Sequence, residues 1–306
     1  MAKITVVGSA NIDLVVRTPR MPAKGETILG GPFFSGPGGK GANQAVGAAR
    51  LGADVAMVAR LGQDQFGDTA AGNFRQEGIR LDCVYRSADA HTGIAVILVD
   101  GAGENMIVVA SGANAELSPA DVEASADAIV AADVVLVQLE SPMATVLRTV
   151  EIAHQAGVTV LLNPAPGRPL ADALLRQVDV LTPNQTEAQI ITGLAAGTPA
   201  EAEIAARALL EKGVGTVIIT LGAAGALVVT AAGAEHVTGF TVDAVDTTGA
   251  GDAFNGALAV ALSERQPLAQ AVAFANAVAA LQVTRQGAAA AMPRRSEVET
   301  FLLEVR

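Results

Sequence analysis

Short runs of β-branched and aliphatic residues alternate with alanine-rich segments along most of the chain. The clearest predicted strands are Ile4–Val7, Asp54–Ala59, Val134–Leu139, Val158–Leu162, Val178–Leu181 and Val217–Leu221. The clearest predicted helices are Ala42–Leu51, Pro119–Ala131, Pro142–Ala156 and Pro199–Lys212. Several strand runs are hydrophobic throughout rather than alternating, as in strands buried on both faces. We therefore expect an α/β fold, a three-layer α/β/α sandwich around a mostly parallel sheet.

Two stretches break this alternation because no helix separates their strand-like pieces. They are residues 14–34 and 92–111, and the second contains a hairpin signal at Gly101–Glu104. We predict that both belong to one small β-sheet, a lid inserted into an α/β domain of residues 1–13, 35–91 and 112–306. Such a lid could close over a substrate or mediate dimerisation. The alternative is two unconnected surface hairpins.

Charge and cysteine content exclude several classes of protein. The net charge of −11 disfavours nucleic acid and anionic lipid as partners. The single cysteine, Cys83, cannot form an internal disulfide and fits a reducing cytosol. The first residues lack the features of a secretory signal, and glycines or amide side chains interrupt the two uncharged stretches, 213–234 and 266–284. We expect a cytoplasmic protein with no membrane segment.

The segment Asp246–Gly256 places a glycine turn directly before a predicted helix. The first backbone N–H groups of a helix have no partner within it, and the helix dipole adds positive potential there. The N–H groups of Gly249, Ala250 and Gly251 are therefore predicted to bind a phosphate. Asp252, in the first helical turn, would take a proton from a hydroxyl that attacks this phosphate. The plainer interpretation is an ordinary turn with an Asp that favours the helix start.

A second glycine-rich segment, Gly36–Ala45, also precedes a predicted helix. It contains G-x-G-x-x-G, so a nicotinamide-dependent oxidoreductase is an alternative. That fingerprint should follow the first buried strand directly, and here the segment lies far beyond Ile4–Val7. It is not a Walker A loop either, because Gly41 follows Lys40 where Ser or Thr is required. Glycines here would let the backbone approach a ligand closely, with Lys40 and Asn43 as donors.

Polar residues also follow predicted strands, where a parallel sheet binds its ligands. Asn11 and Asp13 follow the first strand, and Glu140 follows Val134–Leu139. Asn184 and Glu187 follow Val178–Leu181 at a spacing that places both on one face of a helical turn. Oxygen ligands in this arrangement suit Mg²⁺, although helix capping explains the same pattern.

Together the two glycine motifs resemble the signatures of the PfkB-type carbohydrate kinases, the ribokinase-like family. The resemblance implies ATP-dependent phosphorylation of a sugar, D-ribose at its 5-hydroxyl, by an enzyme that is often a homodimer through its lid. It assigns the sugar to Asn11, Asp13, Gly39, Lys40, Asn43, Glu140 and Asp252. It assigns the nucleotide and Mg²⁺ to Asn184, Glu187, Thr220, Gly222, Gly225, Gly251 and Asn276.

The same resemblance implies a monovalent cation, K⁺, beside the anion-binding turn. The matching positions are Asp246, Thr248, Gln282, Arg285, Gly287 and Ala291. Ala291 departs from the family, which can use a Ser hydroxyl there. Alternatives within the family are kinases of fructose, a deoxy sugar or a nucleoside, and a catalytically inactive sugar-binding relative is a further one. Nucleoside kinases usually stack the base on aromatic side chains, for which Phe33, Phe34 and Tyr85 are the only near candidates.

Overall fold

The computed structural model describes residues 1–305 and contains two β-sheets. The strands are β1 Lys3–Val7, β2 Asn11–Arg17, β3 Phe33–Gly38, β4 Asp54–Gly62, β5 Val84–Ser87, β6 Gly93–Val99, β7 Asn105–Ala110, β8 Val134–Val137, β9 Thr159–Leu162, β10 Val180–Leu181, β11 Thr216–Thr220, β12 Gly225–Thr230 and β13 Gly233–Thr238. The helices are α1 Lys40–Arg50, α2 Gln65–Gln76, α3 Pro119–Ala124, α4 Ala126–Val130, α5 Met143–Gln155, α6 Asp172–Leu175, α7 Gln185–Thr192, α8 Pro199–Glu211, α9 Ala250–Ser263, α10 Leu268–Val283 and α11 Arg295–Glu304. Short 3-10 helices span Gly112–Glu116, Gly222–Ala224 and Ala289–Ala291.

The large sheet has nine strands in the order β13-β12-β11-β10-β9-β8-β1-β4-β5. The seven strands from β11 to β5 run parallel, and β12 and β13 form an antiparallel hairpin at one edge. Alternate residues of each strand enter two separate apolar cores. In β1, for example, Ile4 and Val6 pack on one side, and Val7 packs on the other. The predicted three-layer sandwich with a mostly parallel sheet is therefore confirmed.

The second sheet has the order β3-β2-β6-β7, so the two predicted stretches form one sheet and not separate hairpins. It is a mixed sheet because β2 pairs with β6 in parallel, whereas β2–β3 and β6–β7 are antiparallel. Its strands extend beyond the predicted segments, from Asn11 in β2 to Gly38 in β3. We refer to this four-stranded sheet as the lid sheet.

Several helices begin where the sequence provides a side-chain cap. Ser118, Asn184 and Thr198 each accept a hydrogen bond from the backbone three residues later and complete a capping box. Ser141, which precedes α5, does not cap that helix, because the N-cap is Pro142. The Ser141 hydroxyl is instead buried without a partner among residues 1–305.

The prediction of one helix over Pro119–Ala131 is wrong. The segment is divided into α3 and α4 at Ser125, which has φ −100° and ψ 9°. The Ser125 hydroxyl donates to the Asp121 carbonyl at 2.8 Å and also lies 2.8 Å from the Tyr85 hydroxyl. A serine that bonds back to the preceding turn weakens the helix and bends it.

Among the described residues, no helix combines the length and the apolar character that a bilayer crossing requires. The longest helix, α10, is alanine-rich and mostly buried. It packs with α9 against the same core as β1 and β4, and α1 also belongs to that layer.

Close contact between α1 and α9 depends on a glycine. A Cβ atom on Gly256 would lie 2.8 Å from the Gln44 carbonyl oxygen and 3.2 Å from the Ala48 nitrogen of α1. Both helices carry polar residues of the site described below, so this contact sets their separation.

We predict that Gly256→Ala lowers the free energy of unfolding by about 1–3 kcal/mol, because the helices must move apart. Gly72→Ala in α2 is the matched control, since a Cβ there meets no atom within 4 Å. It should stabilise the protein by roughly 0.5–1 kcal/mol, the difference in helix propensity. Urea unfolding would measure both. Equal effects of the two substitutions would show that the α1–α9 contact is not tightly packed.

Candidate active site

Polar residues meet at the edge of the large sheet where its parallel strands end. Asn11 lies beyond β1, Glu140 beyond β8, Asn163 beyond β9 and Thr182 beyond β10. Ligands of open α/β sheets bind at this edge because the carboxyl ends of the strands converge there. The first turns of α1 and α9 lie at the same edge, since Asn43 and Asp252 are in hydrogen-bond contact at 2.9 Å.

The turn before α9 has the conformation that its glycine permits. Gly249 is left-handed, with φ 84° and ψ 4°, and forms the N-cap of the helix. The Ala250 N–H donates to the Thr247 carbonyl at 3.2 Å, which closes a four-residue turn. A positive φ at the third residue is the requirement of a type II turn, where glycine is preferred.

This turn uses one of the N–H groups that were predicted to bind an anion. The Ala250 N–H, predicted to be free, closes the turn and is already hydrogen-bonded. Within residues 1–305, the N–H groups of Gly249, Gly251 and Asp252 form no hydrogen bond. Three donors and the dipole of α9 therefore remain available to an anion, with Asp252 N–H in the place of Ala250 N–H.

The Asp252 carboxylate is buried, with only 6% of the residue exposed. Its Oδ2 accepts a hydrogen bond from Asn43 Nδ2 at 2.9 Å, and its Oδ1 accepts one from Gln44 Nε2 at 2.9 Å. Burial raises the pKa of Asp252 above its ordinary value, and the charge of Glu140 raises it further, although Lys40 and the two amides oppose the shift. A buried carboxylate with a raised pKa is a stronger base than an exposed one.

A chain of buried side chains that no sequence motif predicted connects this carboxylate to the anion-binding turn. Gln44 Nε2 donates to Asn163 Oδ1 at 3.1 Å, and Asn163 Nδ2 donates to the Thr182 carbonyl at 3.0 Å. The Thr182 hydroxyl donates to Asn255 Oδ1 at 2.5 Å, and Asn255 Nδ2 donates to the Gly251 carbonyl at 2.8 Å. Asn163 and Thr182 directly follow strands, so strand ends were the signal that could have revealed them.

Asn11 and Gly39 approach each other closely. A Cβ atom on Gly39, which has φ 89°, would lie 2.8 Å from the Asn11 backbone nitrogen. Asn11 Oδ1 accepts a hydrogen bond at 2.7 Å from Asn114 Nδ2, a buried partner that the sequence analysis missed. Asn43, one turn into α1, has a buried Oδ1 without a partner among residues 1–305. A ligand hydroxyl at this position would satisfy that oxygen.

One carboxylate oxygen of Glu140 is already hydrogen-bonded within the protein, in part to the start of α1. Its Oε2 accepts hydrogen bonds from the Ser9 hydroxyl at 2.5 Å and from the Lys40 N–H at 3.1 Å. Lys40 itself is half-buried. Burial favours its neutral form, but three carboxylates outweigh this effect and raise the pKa of the amine: Asp252, Glu140 and Glu187. Lys40 is therefore a fixed positive charge among the acids of the site.

A cleft of about 440 Å³ separates the lid sheet from the loops before α9 and after α10. Its walls include Asp13 and Ile97 of the lid sheet and Asp246 and Ala288 of the loops. One face of the lid sheet lines the cleft, because the lining positions of β2, β6 and β7, with Phe34 and Gly36 of β3, lie opposite each other in the strand register. The sequence predicted the lid but not which of its faces is turned inward.

Four of the predicted nucleotide-binding residues, Thr220, Gly222, Gly225 and Asn276, lie on the β11–β13 side of the large sheet. Thr220 ends β11 and is bridged to Asn184, and Gly222 begins the following 3-10 helix. A Cβ atom on Gly225 would lie 2.2 Å from the Val237 carbonyl oxygen. Asn276 Nδ2 donates to that same carbonyl at 3.1 Å, so Gly225 and Asn276 are neighbours. The amide of Asn276 thus holds the β12–β13 hairpin against α10.

Asn184 and Glu187 form the capping box of α7. Asn184 Oδ1 accepts from the Glu187 N–H, and Glu187 Oε2 accepts from the Asn184 N–H, both at 2.8 Å. Burial raises the pKa of Glu187, as does Asp252, whereas the Asn184 N–H and Lys40 lower it. Glu187 Oε1 accepts no hydrogen bond within residues 1–305, so it is available to a hydrated cation. Residues 1–305 contain no cluster of three or more His, Cys, Asp or Glu that could hold a metal directly.

The predicted monovalent-cation residues come together, but most of their oxygens are already used. Gln282 Nε2 donates to the Thr248 carbonyl at 2.7 Å and to the Gly287 carbonyl at 3.0 Å. Asp246 accepts backbone N–H groups with both carboxylate oxygens, and Arg285 N–H donates to the Gln282 carbonyl at 3.1 Å. Ala291 has no side-chain oxygen. These residues fit a resident cation poorly.

Comparisons with known proteins agree with this geometry. The model of the pfkB family of carbohydrate kinases matches residues 1–295. A ribokinase of Haemophilus influenzae is 44% identical over 299 residues, 98% of each chain. A deoxyribokinase of Salmonella typhi is 38% identical over 300 residues, again 98% of each chain. The structure of Arabidopsis thaliana ribokinase complexed with ribose and ATP matches with a TM-score of 0.92 at 34% identity, over 99% of both chains.

Asp13 provides a test of the electrostatics of the site. Burial, with Glu140 and Asp252, raises its pKa from 3.8 to about 6. The folded protein therefore loses stability as the pH rises from about 4 through 6, because the ionised form is favoured in the unfolded chain. We predict that Asp13→Asn raises the free energy of unfolding at pH 8 by on the order of 1–3 kcal/mol and leaves it unchanged near pH 4.

Urea unfolding at several pH values measures this difference. Asp243→Asn, at an exposed position, is the control and should match the wild-type protein at each pH. An Asp13→Asn protein that is less stable than wild type at pH 8 would show that the carboxylate is stabilised, not strained, by its surroundings.

Proposed function

The chain belongs to the pfkB family of carbohydrate kinases, and we propose that it transfers the γ-phosphoryl group of ATP to the 5-hydroxyl of D-ribose. The products are D-ribose 5-phosphate and ADP. One observation carries the proposal: the buried Asp252 carboxylate lies in the first turn of the helix whose free N–H groups can hold an anion. A base and an oxyanion site on adjacent residues are the two elements that phosphoryl transfer to an alcohol requires.

Asp252 accepts the proton of the attacking hydroxyl in this mechanism. The Asn43 and Gln44 amides fix the orientation of the carboxylate, because each occupies one of its oxygens. Each oxygen retains a lone pair for the substrate. As the proton moves to Asp252, the sugar oxygen becomes more negative and attacks the γ-phosphorus, and ADP leaves.

Charge on the transferring phosphoryl group is stabilised by the start of α9. The free N–H groups of Gly249, Gly251 and Asp252 and the helix dipole are fixed before the substrate binds, so little reorganisation is needed. Lys40, held charged by its neighbouring carboxylates, adds positive potential beside them.

The sugar is proposed to lie against Asn11, Asp13, Gly39, Asn43 and Glu140. Asn43 Oδ1 and Glu140 Oε1 are the acceptors left for hydroxyls, since their companion atoms are already bonded within the protein. A sugar that lacks the matching hydroxyl would leave a buried acceptor unpaired, which gives selectivity. The lid, residues 14–34 and 92–111, is proposed to cover this part of the cleft.

The nucleotide is proposed to lie against Thr220, Gly222, Gly225 and Asn276. Glu187, with a free Oε1, is the residue best placed to hold Mg²⁺ through water, and Asn184 positions Glu187 by capping α7. When bound, Mg²⁺ would neutralise charge on the phosphate groups. The family resemblance also predicted K⁺ here, but K⁺ takes no part in the steps above, because its predicted ligands are largely occupied.

We expect Asp252→Asn to lower kcat by roughly 10²–10⁴-fold, because the amide cannot accept the proton. ATP affinity should remain nearly unchanged, since the Asp252 carboxylate acts on the sugar and the substitution retains the backbone N–H that faces the phosphate. Steady-state kinetics with ribose and a separate titration of an ATP analogue measure the two effects. Near-normal turnover of this variant would remove the assignment of the base.

The choice of sugar is tested by ADP formation with a panel of ribose, 2-deoxyribose, fructose and nucleosides. We expect the highest kcat/KM with ribose, and NMR of the product should place the phosphate on the 5-oxygen. A preference for 2-deoxyribose would assign the chain to the specificity of the Salmonella relative. Nucleosides are disfavoured because, of the three aromatic candidates, only Phe34 lines the cleft. If none of the sugars and nucleosides yields ADP, the chain is a catalytically inactive relative.

The outer face of the lid sheet carries exposed apolar side chains, including Phe33, Met106 and Val108, which are 60%, 58% and 70% exposed. Their positions alternate with those that line the cleft. We propose that a second copy of the chain covers this face, as the family resemblance predicts. The family resemblance is also the basis on which we propose a cytoplasmic location.

Val108→Lys should convert a dimer of the chain to a monomer, because a charge would be buried within the covered apolar face. Val130→Lys, at an exposed valine of α4, is the matched control and should leave the mass unchanged. Light scattering after gel filtration gives the mass directly. A wild-type protein that is monomeric at high concentration would contradict the proposal.

A further inference from the structure

The last turn of α10 joins the two loops that flank the anion-binding turn. Gln282 is fully buried, and its side-chain nitrogen donates to carbonyl oxygens of both loops, Thr248 at 2.7 Å and Gly287 at 3.0 Å. Asp246 makes a second connection, because its two carboxylate oxygens accept the N–H groups of Thr248 and Gly287, both at 2.9 Å. Two side chains therefore hold the same pair of residues.

The loop after α10 also presses against the anion-binding turn itself. A Cβ atom on Gly249 would lie 2.9 Å from the Ala288 methyl carbon. The position of residues 287–288 is thus transmitted directly to Gly249, whose N–H is one of the free donors. Whatever fixes the Thr248 and Gly287 carbonyls also fixes the anion-binding turn.

Thr248 and Gly287 are two of the positions where the resemblance predicted that carbonyl oxygens hold a monovalent cation. Here both carbonyls point at one N–H₂ group, which supplies the partial positive charge that two converging carbonyl dipoles require. Ala291 independently lacks the hydroxyl that could complete such a site, and the backbone carbonyl of Gln282 accepts the Arg285 N–H. The side-chain Oε1 of Gln282 is buried without a hydrogen-bond partner among residues 1–305. A cation bound between the Thr248 and Gly287 carbonyls would have to displace the amide.

We infer that the Gln282 side-chain amide takes the place of the monovalent cation in this chain, so that the anion-binding turn is organised without K⁺. Gln282 is a positioning residue: it touches neither the sugar nor the nucleotide in the proposed arrangement and acts through Thr248, Gly287 and Ala288. The predicted effect of Gln282 on kcat rests on the proposed kinase function. The structural part of the inference, the occupied cation position, stands on the contacts alone.

The test compares KCl with choline chloride at equal ionic strength, so that screening of surface charges is the same in both salts. Four proteins are compared with wild type: Gln282→Ala, Ala291→Ser, the double variant that combines them, and Gln270→Ala. Gln270 lies at an exposed position of the same helix and is the matched control. The readouts are kcat for ribose phosphorylation and the thermal unfolding midpoint without substrates.

For the wild type, kcat should differ by less than about threefold between the two salts, and KCl should not raise the unfolding midpoint above that in choline chloride. Gln270→Ala and Ala291→Ser should both respond to the two salts as the wild type does, because the Gln282 amide is still present. Gln282→Ala should lose about tenfold or more of kcat in choline chloride and regain part of it in KCl. The double variant should regain more and should be stabilised specifically by KCl, since the added hydroxyl completes a cation site.

A wild-type enzyme activated more than about threefold by KCl, or stabilised by it, would overturn the inference. So would a Gln282→Ala enzyme as active in choline chloride as wild type. If Gln282→Ala does not fold, the wild type and Ala291→Ser still decide, because a KCl response in either shows that the amide does not fill the site. If no sugar yields ADP in either salt, the proposed function fails, whereas the unfolding midpoints still report on Gln282.

Discussion

The hydrogen bonds between Asp252 and the amides of Asn43 and Gln44 are the interaction on which the site depends. They join the first turns of two helices far apart in sequence, and the glycine at position 256 lets those helices approach closely enough. The cost of burying the carboxylate is offset by these donors and by Lys40, and it appears as a raised pKa. The same burial excludes water, which strengthens the electrostatic effect of the nearby N–H groups on a bound phosphate.

The large sheet and the lid sheet meet beside the candidate active site. All four strands of the lid sheet begin or end near Asn11, Gly38, Gly93 or Ala110, beside the carboxyl ends of the parallel strands. Asn114 fastens this junction, since it bonds to the backbone of Ala10 and to the Asn11 side chain. Movement of the lid sheet about this junction would change the cleft while leaving Asp252 and the anion-binding turn in place.

Much of the fold could be predicted from the sequence because its signals are local. Hydrophobic runs gave the parallel sheet, and the missing helices at 14–34 and 92–111 gave the lid sheet. The helix predicted from Pro119 begins at that residue, but Ser125 divides it because its side chain bonds to the preceding turn. The two glycine motifs located the residues of the candidate site, whose roles stay proposals. Contacts over long separations could not be predicted, such as Gln44 with Asn163 or Gln282 with Thr248, since they depend on packing that no local pattern records.

A crystal structure with ribose and a non-hydrolysable ATP analogue is the most direct measurement of how this site works. We expect one Asp252 carboxylate oxygen within about 2.6–3.2 Å of the sugar oxygen that faces the γ-phosphate, the reach of a proton transfer. The γ-phosphate oxygens should lie against the N–H groups of Gly249, Gly251 and Asp252. A sugar hydroxyl that faces the γ-phosphate but lies beyond hydrogen-bond reach of Asp252, with no bridging water, would contradict the assignment of Asp252 as the base.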